Sequence, residues 1–242
     1  MPDFSIRTLL PEKMDEPGVS EKDIHQALQE LEIINRRLGG YHVIFDALDK
    51  LEWNEQPVTI MDLGCGGGDM LRAISKWAEK NKRKVQLIGV DRNPIMTDYA
   101  SHHAKSYPDI QFKTLDVFDD ALMAEKADIT MNSLFCHHFS NTELITLIKR
   151  MNQLASRAVI INDLHRHWFA YYSIKVITFL FSKTYLVKYD GPLSVARSLN
   201  RKEWKAILES AGIKDYRLRW MWAWRWQIIF DKTVDPIGKP AN

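Results

Sequence analysis

A glycine-rich run, Asp62-Leu63-Gly64-Cys65-Gly66-Gly67-Gly68-Asp69, follows a short apolar stretch and precedes helical periodicity from Met70 to Lys80. Glycines at a strand-to-helix turn permit positive φ and let the backbone approach a ligand closely, and the helix beyond offers free N–H groups. A ligand therefore belongs outside the carboxyl end of that strand. A second apolar run ends at Asp91, about thirty residues after Asp62. An acid at that strand end can accept hydrogen bonds from two ribose hydroxyls. A third run ends at Asp116-Val117. Read without a ligand, Asp91 and Asp116 are ordinary strand-end turn residues. A dinucleotide fingerprint would require its third glycine where Asp69 stands, and a buried carboxylate facing a pyrophosphate would repel it. That speaks against a nicotinamide-dependent oxidoreductase.

The pattern Asp-x-Gly-x-Gly-x-Gly instead resembles motif I of class I S-adenosylmethionine (SAM)-dependent methyltransferases. Gly89-Val90-Asp91-Arg92-Asn93-Pro94 and Asp116-Val117 follow in the family's order, and Ala127 to Phe139, with Asn132 in its strand and His137-His138 after it, resembles motif IV. The resemblance covers Asp62 to Phe139 and implies SAM as cofactor. It places Gly64, Gly66 and Gly68 in the cofactor cradle, Asp91 on the ribose and the stem of Arg92 against the adenine. Asp116 falls on the adenine amino group, the Val117 backbone on the ring, and Asn132 at the cofactor's edge. Asp62 braces the turn, contacts the cofactor, or both. Cys65 reads as a small loop residue. Arg36 or Arg37, on a helix that covers the cofactor in the family, meets the cofactor carboxylate or ends a solvated helix. A non-catalytic SAM-binding module shares every one of these features.

Methyl transfer from a sulfonium is an in-line displacement, so the protein mainly aligns the nucleophile and excludes water. A high-pKa oxygen acceptor also gains from a base near neutral pH, for which histidine is suited. His137, His138, His165 and His167 are the candidates, with His165 and His137 foremost. Asp163 with His165 or His167 would form an acid-oriented base, and local loop hydrogen bonding is the alternative. No carboxylate pattern around the histidines suggests a metal site. Asn132 is followed by Ser-Leu-Phe without proline, which argues against amino methylation of DNA.

These residues need a frame that brings strand ends together. Strands at Val58–Asp62, Gln86–Asp91, Ile110–Asp116, Ala127–Ser133 and Arg157–Leu164 alternate with helices, which predicts parallel pairing with crossovers. From Tyr216 to Phe230 apolar and polar residues alternate, which predicts a hairpin bending near Trp222 to Trp224. The expected fold is an α/β Rossmann-like seven-stranded sheet with an antiparallel last strand, helices on both faces and an N-terminal helical lead-in. Residues 1–56 form the lead-in and 57–242 the SAM-binding domain, with a helical insertion at about 166–188. Ser20 with Asp23 opens the first helix like a capping box, and helices are expected at Tyr41 to Leu51, from Asn93-Pro94 toward Ser106, and from Asn141 to Ala155. Asp190-Gly191-Pro192 reads as a turn, Asn200 with Glu203 as a helix start, Gly212 as its stop, and Lys232 to Asn242 as a loose tail.

At 242 residues and 45% hydrophobic content the chain can bury a full core. Its net charge of +2 calls for no polyanionic partner, so nucleic acid is not expected. Two cysteines without CxxC spacing fit a reducing cytoplasm. Trp168 to Val187 is the most apolar run, but Lys175 and Lys183 interrupt it, so stable membrane insertion is not expected. It reads as a helix with a wide apolar face, with a membrane-surface helix as the alternative. The insertion and its aromatic residues predict a small apolar or aromatic acceptor. The stretch from Asn162 to Ser198 is similar to small bacterial methyltransferases of type III polyketide and phenolic-lipid pathways. The expected reaction is methylation of a phenolic or polyketide-like hydroxyl. C- or N-methylation of a quinone-like or lipid intermediate is the alternative, and the Trp row leaves a homodimer surface open.

Overall fold

Capping side chains fix where the helices begin. In the computed structural model, which describes residues 3–232, the Ser20 hydroxyl accepts the Asp23 N–H and starts α1 (Glu21–Arg37). Gly39, at φ 77°, turns the chain into α2 (Gly40–Leu48), which ends three residues before the expected Leu51. Asn93 accepts the Ile95 N–H ahead of Pro94 and opens α4 (Pro94–His103). That helix stops before Ser106, at the C-cap Ala104, whose N–H bonds the Ala100 and Ser101 carbonyls. Full capping boxes open α5 (Asn141–Leu154) and α8 (Arg201–Ser210).

Seven strands form one sheet in the order β3-β2-β1-β4-β5-β7-β6: β1 (Val58–Leu63), β2 (Val85–Asp91), β3 (Ile110–Thr114), β4 (Ala127–Ser133), β5 (Ala155–Leu164), β6 (Arg217–Met221) and β7 (Arg225–Asp231). The first five are parallel, and β7 runs antiparallel to both β5 and β6. Both faces of the central strands are apolar. Met61 and Leu63 pack toward α5 and α8 with Leu147 and Trp204, and Ile60 packs toward α2 and α3 (Asp69–Lys80) with Ile44 and Ile74. Burial on two faces is why these strands read as continuous apolar runs.

The insertion is a pair of helices, α6 (Trp168–Phe181) and α7 (Tyr185–Arg197). Asp190-Gly191-Pro192, expected as a turn, lies inside α7. Tertiary contacts override the local signal there. A side chain on Gly191 would meet Thr178 at 3.2 Å, so its bareness permits the close α6–α7 approach. Asp190 accepts the Lys13 and Met14 N–H groups at 2.8 and 3.0 Å, and the Ser194 hydroxyl donates to its carbonyl. The segment from Lys232 expected as a tail lies, after that residue, outside the described residues. Among the described residues no helix is long and apolar enough to cross a membrane.

Candidate active site

The parallel topology lines up the carboxyl ends of β1, β2, β4 and β5. The N-terminal arm, α1, α6, α7 and the β6–β7 turn close over them, leaving a cavity of about 1000 Å³. Small-molecule sites run from roughly 300 to 1,000 Å³, so there is room for a cofactor and an acceptor together.

One end of the cavity is the glycine turn. Gly64 has φ 73°, and a Cβ there would stand 2.2 Å from the Phe135 ring. Gly66, at φ 50°, differs: the nearest atoms to such a Cβ are 3.9 Å away, on Leu28 and Met96, so the backbone is open toward the cavity. Asp91 Oδ2 accepts the Gly66 N–H and Oδ1 the Asn93 N–H, both at 2.9 Å. Each oxygen retains lone-pair capacity. Burial pushes this carboxyl up, against the two backbone bonds that lower it. Asp116 accepts the Phe118 N–H at 2.8 Å, and Arg92, Asp116 and Val117 line the same end. Open backbone at Gly66, an acid at the end of β2 and an apolar-flanked acid at the end of β3 fit an adenosyl group.

Three expected cofactor residues lie elsewhere. Gly68, at φ 68°, is the N-cap of α3 and sits against Phe112, away from the cavity lining. Asp62 is buried beneath the turn with Oδ1 unpartnered among the described residues, and burial, with Asp69 and Asp91 adding, pushes its carboxyl well up. Asn132 points to the α5 side of the sheet, where it donates to Met151 Sδ and accepts from Cys136 Sγ. Arg36 and Arg37 are exposed and do not line the cavity. Arg72 brings a guanidinium to this end besides Arg92, donating to the Gly67 carbonyl at 2.7 Å and pairing with Glu32 at 2.8 Å.

The histidines sort differently from expectation. His165 does not line the cavity. Its ring packs on Trp226 with centroids 4.7 Å apart, and burial first, then His167 and Arg166, pull its pKa down to about 4. His167 caps α6 by accepting the Phe169 N–H at 3.2 Å, the local bonding its loop position allowed. Asp163 pairs instead with His137, whose Nδ1 donates to Oδ1 at 2.7 Å while its backbone N–H donates to Oδ2 at 2.8 Å. His137 Nε2 faces Glu12 Oε1 at 3.5 Å across the cavity wall. Burial alone would lower the His137 pKa, but Asp163 and then Glu12 overcome it and hold the value near 9. Burial likewise opposes ionisation of Glu12, yet the His137 and His138 contacts bring it down to about 2.

Neither Glu12 nor its supports carry a motif. Arg7 donates to the carbonyls of His137 and Phe139 at 3.0 and 2.8 Å, and Arg197 donates to those of His137 and His138 at 3.2 and 2.8 Å. These two guanidiniums fix the turn that carries both histidines. His138 Nδ1 meets Asp15 Oδ2 at 3.0 Å. Ligand atoms of Glu12, His137 and His138 lie within 4.8 Å of one another, a set that could in principle take a divalent cation. Arg197 Nε lies 3.8 Å from Glu12 Oε1, so a fixed cation already shares that carboxylate, which favours a proton over a metal ion there.

The far end of the cavity is aromatic, with Phe169, Trp222 and Trp224 in its wall. Arg225 is also part of the lining. It is buried, burial lowers its pKa to about 10, and its Nη1 has no partner among the described residues.

Residues 60–157 match the family model described as a methyltransferase domain. None of the curated protein sequences compared matches the chain. Solved structures share the fold at low identity. The magnesium protoporphyrin IX methyltransferase ChlM from Synechocystis PCC 6803, with bound S-adenosylhomocysteine (SAH), is 18% identical at a TM-score of 0.54, over 90% of this chain and 89% of that one. The plantazolicin methyltransferase BpumL in complex with SAH is 20% identical at a TM-score of 0.58, over 82% and 79%. The CurJ carbon methyltransferase is 16% identical at a TM-score of 0.56, and the match covers 78% of this chain but only 51% of that one. With the family match set on the seven-stranded sheet and its glycine turn, residues 60–157 carry a methyltransferase domain and the sheet has the class I methyltransferase fold.

Proposed function

We propose that the chain transfers the methyl group of SAM to the hydroxyl of a small phenolic or polyketide-like acceptor, with His137 as the proton acceptor. The observation that carries this reading is the buried His137–Asp163 pair, set in the wall of one continuous cavity between the glycine turn and the aromatic end. SAM supplies an activated methyl on a sulfonium. Gly64 and Gly66 would admit its backbone-facing side, Asp91 would take the ribose hydroxyls, and Asp116 with Val117 would take the adenine. The aromatic end would hold the acceptor ring out of water.

The proton balance suits a phenol. A phenolic hydroxyl titrates near 10, close to the value of about 9 at which Asp163 and Glu12 hold His137. Proton transfer between groups so matched is nearly thermoneutral, and the accepting species is the neutral imidazole, the minor form below about pH 9, so turnover should rise with pH toward that value. As the phenolic oxygen takes the methyl group that SAM would supply, its proton would pass to His137 Nε2, leaving SAH uncharged at sulfur. Asp163 acts through His137 by holding Nδ1–H, so that the base form carries its lone pair at Nε2, the nitrogen that faces Glu12 at the cavity wall.

The same imidazole could take a proton from an acidic carbon, and the likeness to a carbon methyltransferase keeps that second reading in view. The test is incubation of the protein with SAM and a series of phenols bearing alkyl chains of increasing length. Mass spectrometry and NMR of the product locate the new methyl. O-methylated product that disappears in His137→Ala supports the proposal. A methyl on carbon selects the second reading. SAM binding with no turnover of any phenol rejects this acceptor class, and unchanged kcat in His137→Ala rejects the base.

A further inference from the structure

Helix α6 has no polar face. Ala170, Ile174, Ile177 and Thr178 point inward and line the cavity. Trp168, Tyr172, Val176, Phe179 and Leu180, three and four residues apart, lie outside with exposures between 37% and 73%, and Phe181 at the end of the helix is 78% exposed. A helix on a water-facing surface normally sets charged and polar residues opposite its apolar stripe. Here the outer face is as apolar as the inner one.

The charged side chains of this segment have one sign. From Trp168 to Tyr189 the chain contains no Asp or Glu, and its exposed charged residues are Lys175, Lys183 and Lys188. Glu30 reaches the segment from α1, but it accepts the backbone N–H groups of Lys183 and Thr184 at 2.9 and 3.2 Å. Exposed aromatic and aliphatic side chains with exposed lysines in the same segment match the interface of a bilayer that carries anionic headgroups. A second copy of this chain is a poorer occupant. A two-fold contact through α6 would bring the lysines of both copies together with no carboxylate in the segment to pair them. With 14 residues, α6 is also shorter than the roughly 20 needed to span a bilayer, so it would lie in the plane of the surface.

The apolar surface runs into the cavity. Phe169 and Trp222 both line it, yet they are 46% and 63% exposed, so they stand at its mouth. Phe169 stacks on Trp224 with centroids 4.9 Å apart, which extends the aromatic path inward.

We propose that the outer face of α6 docks on an anionic phospholipid surface and that an acceptor with a hydrocarbon tail enters from that surface between Phe169 and Trp222. The docking stands on the surface itself, and the entry route rests on the methyl-transfer reading above.

The test is co-sedimentation of the full chain with vesicles of phosphatidylcholine alone and of phosphatidylcholine mixed with phosphatidylglycerol. SAH affinity is measured on the same samples, and size-exclusion light scattering gives the oligomeric state. Binding is expected to the phosphatidylglycerol vesicles and to weaken with salt. Lys175→Gln and Lys183→Gln are each expected to weaken it about fivefold, the value of one basic residue near an anionic surface. Phe179→Asp with Leu180→Asp should abolish binding while leaving SAH affinity unchanged. Several results would overturn the docking: no binding to either vesicle, equal binding to both, full binding by the double variant, or a dimer that the double variant dissociates in the absence of vesicle binding. Because SAH affinity is read separately, failed docking cannot be confused with failure of the methyltransferase reading.

Discussion

Replacing Glu12 with Gln tests whether buried carboxylates set the proton affinity of His137. The pKa of about 9, against an ordinary 6.5, means the fold favours the imidazolium by about 3 kcal/mol even though burial opposes the charge. Asp163 is the larger contributor and stays in the variant. Glu12 Oε1 lies 3.5 Å from Nε2. At that range a unit charge contributes on the order of 5 kcal/mol before solvation is subtracted, for an effective dielectric near 20. Loss of the Glu12 charge is therefore comparable with the whole net effect, and the His137 pKa should fall by at least about one pH unit.

Selectively labelled histidine NMR reads that titration without needing an acceptor. Once an acceptor is in hand, the rising limb of kcat/KM against pH should move down with it. Stability should follow the same sign. Folding raises this pKa, so the stabilisation it represents is complete below about pH 6.5 and is lost as pH rises through about 9. The wild type should lose up to about 3 kcal/mol across that window, and Glu12→Gln distinctly less. A wild-type His137 that titrates near 6.5, or a variant whose titration does not move, would refute the account.

Three further outcomes follow from the cofactor end and the histidine cluster. Asp91→Ala removes the carboxylate assigned to the ribose. Hydrogen bonds to charged groups contribute about 1.5–3 kcal/mol each, so SAH affinity by calorimetry should fall at least about tenfold; an unchanged Kd would remove the assignment. Gly64→Ala sets a Cβ 2.2 Å from the Phe135 ring at φ 73°, so it should lower Tm and SAH affinity together, and a Phe135→Ala partner should restore part of the Tm by relieving the contact. Treatment with a chelator should leave methyl transfer within about twofold, because Arg197 and the His137 proton fill the role of a cation beside Glu12; a large loss restored by a divalent ion would reassign the cluster as a metal centre.

The parts of the site readable from sequence are those made by neighbouring residues. Asp62 to Asp69 is a strand end, a turn and a helix start in eight residues, and the backbone freedom of Gly64 and Gly66 is a local property. Asp91 and Asp116 follow because parallel strands linked by crossovers place their carboxyl ends along one edge. The proton site is legible only in its members. Asp163 stands two residues from His165, and proximity along the chain suggested that pair. The strand ends at Leu164, however, and His165 turns onto Trp226 after its N–H bonds the Trp224 carbonyl. What decides the true partner is that β4 and β5 are adjacent, with Ser133 beside Asn162, so the turn after β4 delivers His137 onto Asp163.

Glu12 belongs to a further class. It lies in an arm with no periodicity to read, and it reaches the site because Asp190 takes the N–H groups of Lys13 and Met14 from inside α7. The Asp-Gly-Pro triplet that looked like a turn is thus the anchor that brings the second carboxylate to His137. Neither Asp190 nor Glu12 has its role until α7 and the arm have packed together. Perturbing Asp190 should therefore move the His137 titration in the same direction as perturbing Glu12, although Asp190 does not touch the imidazole.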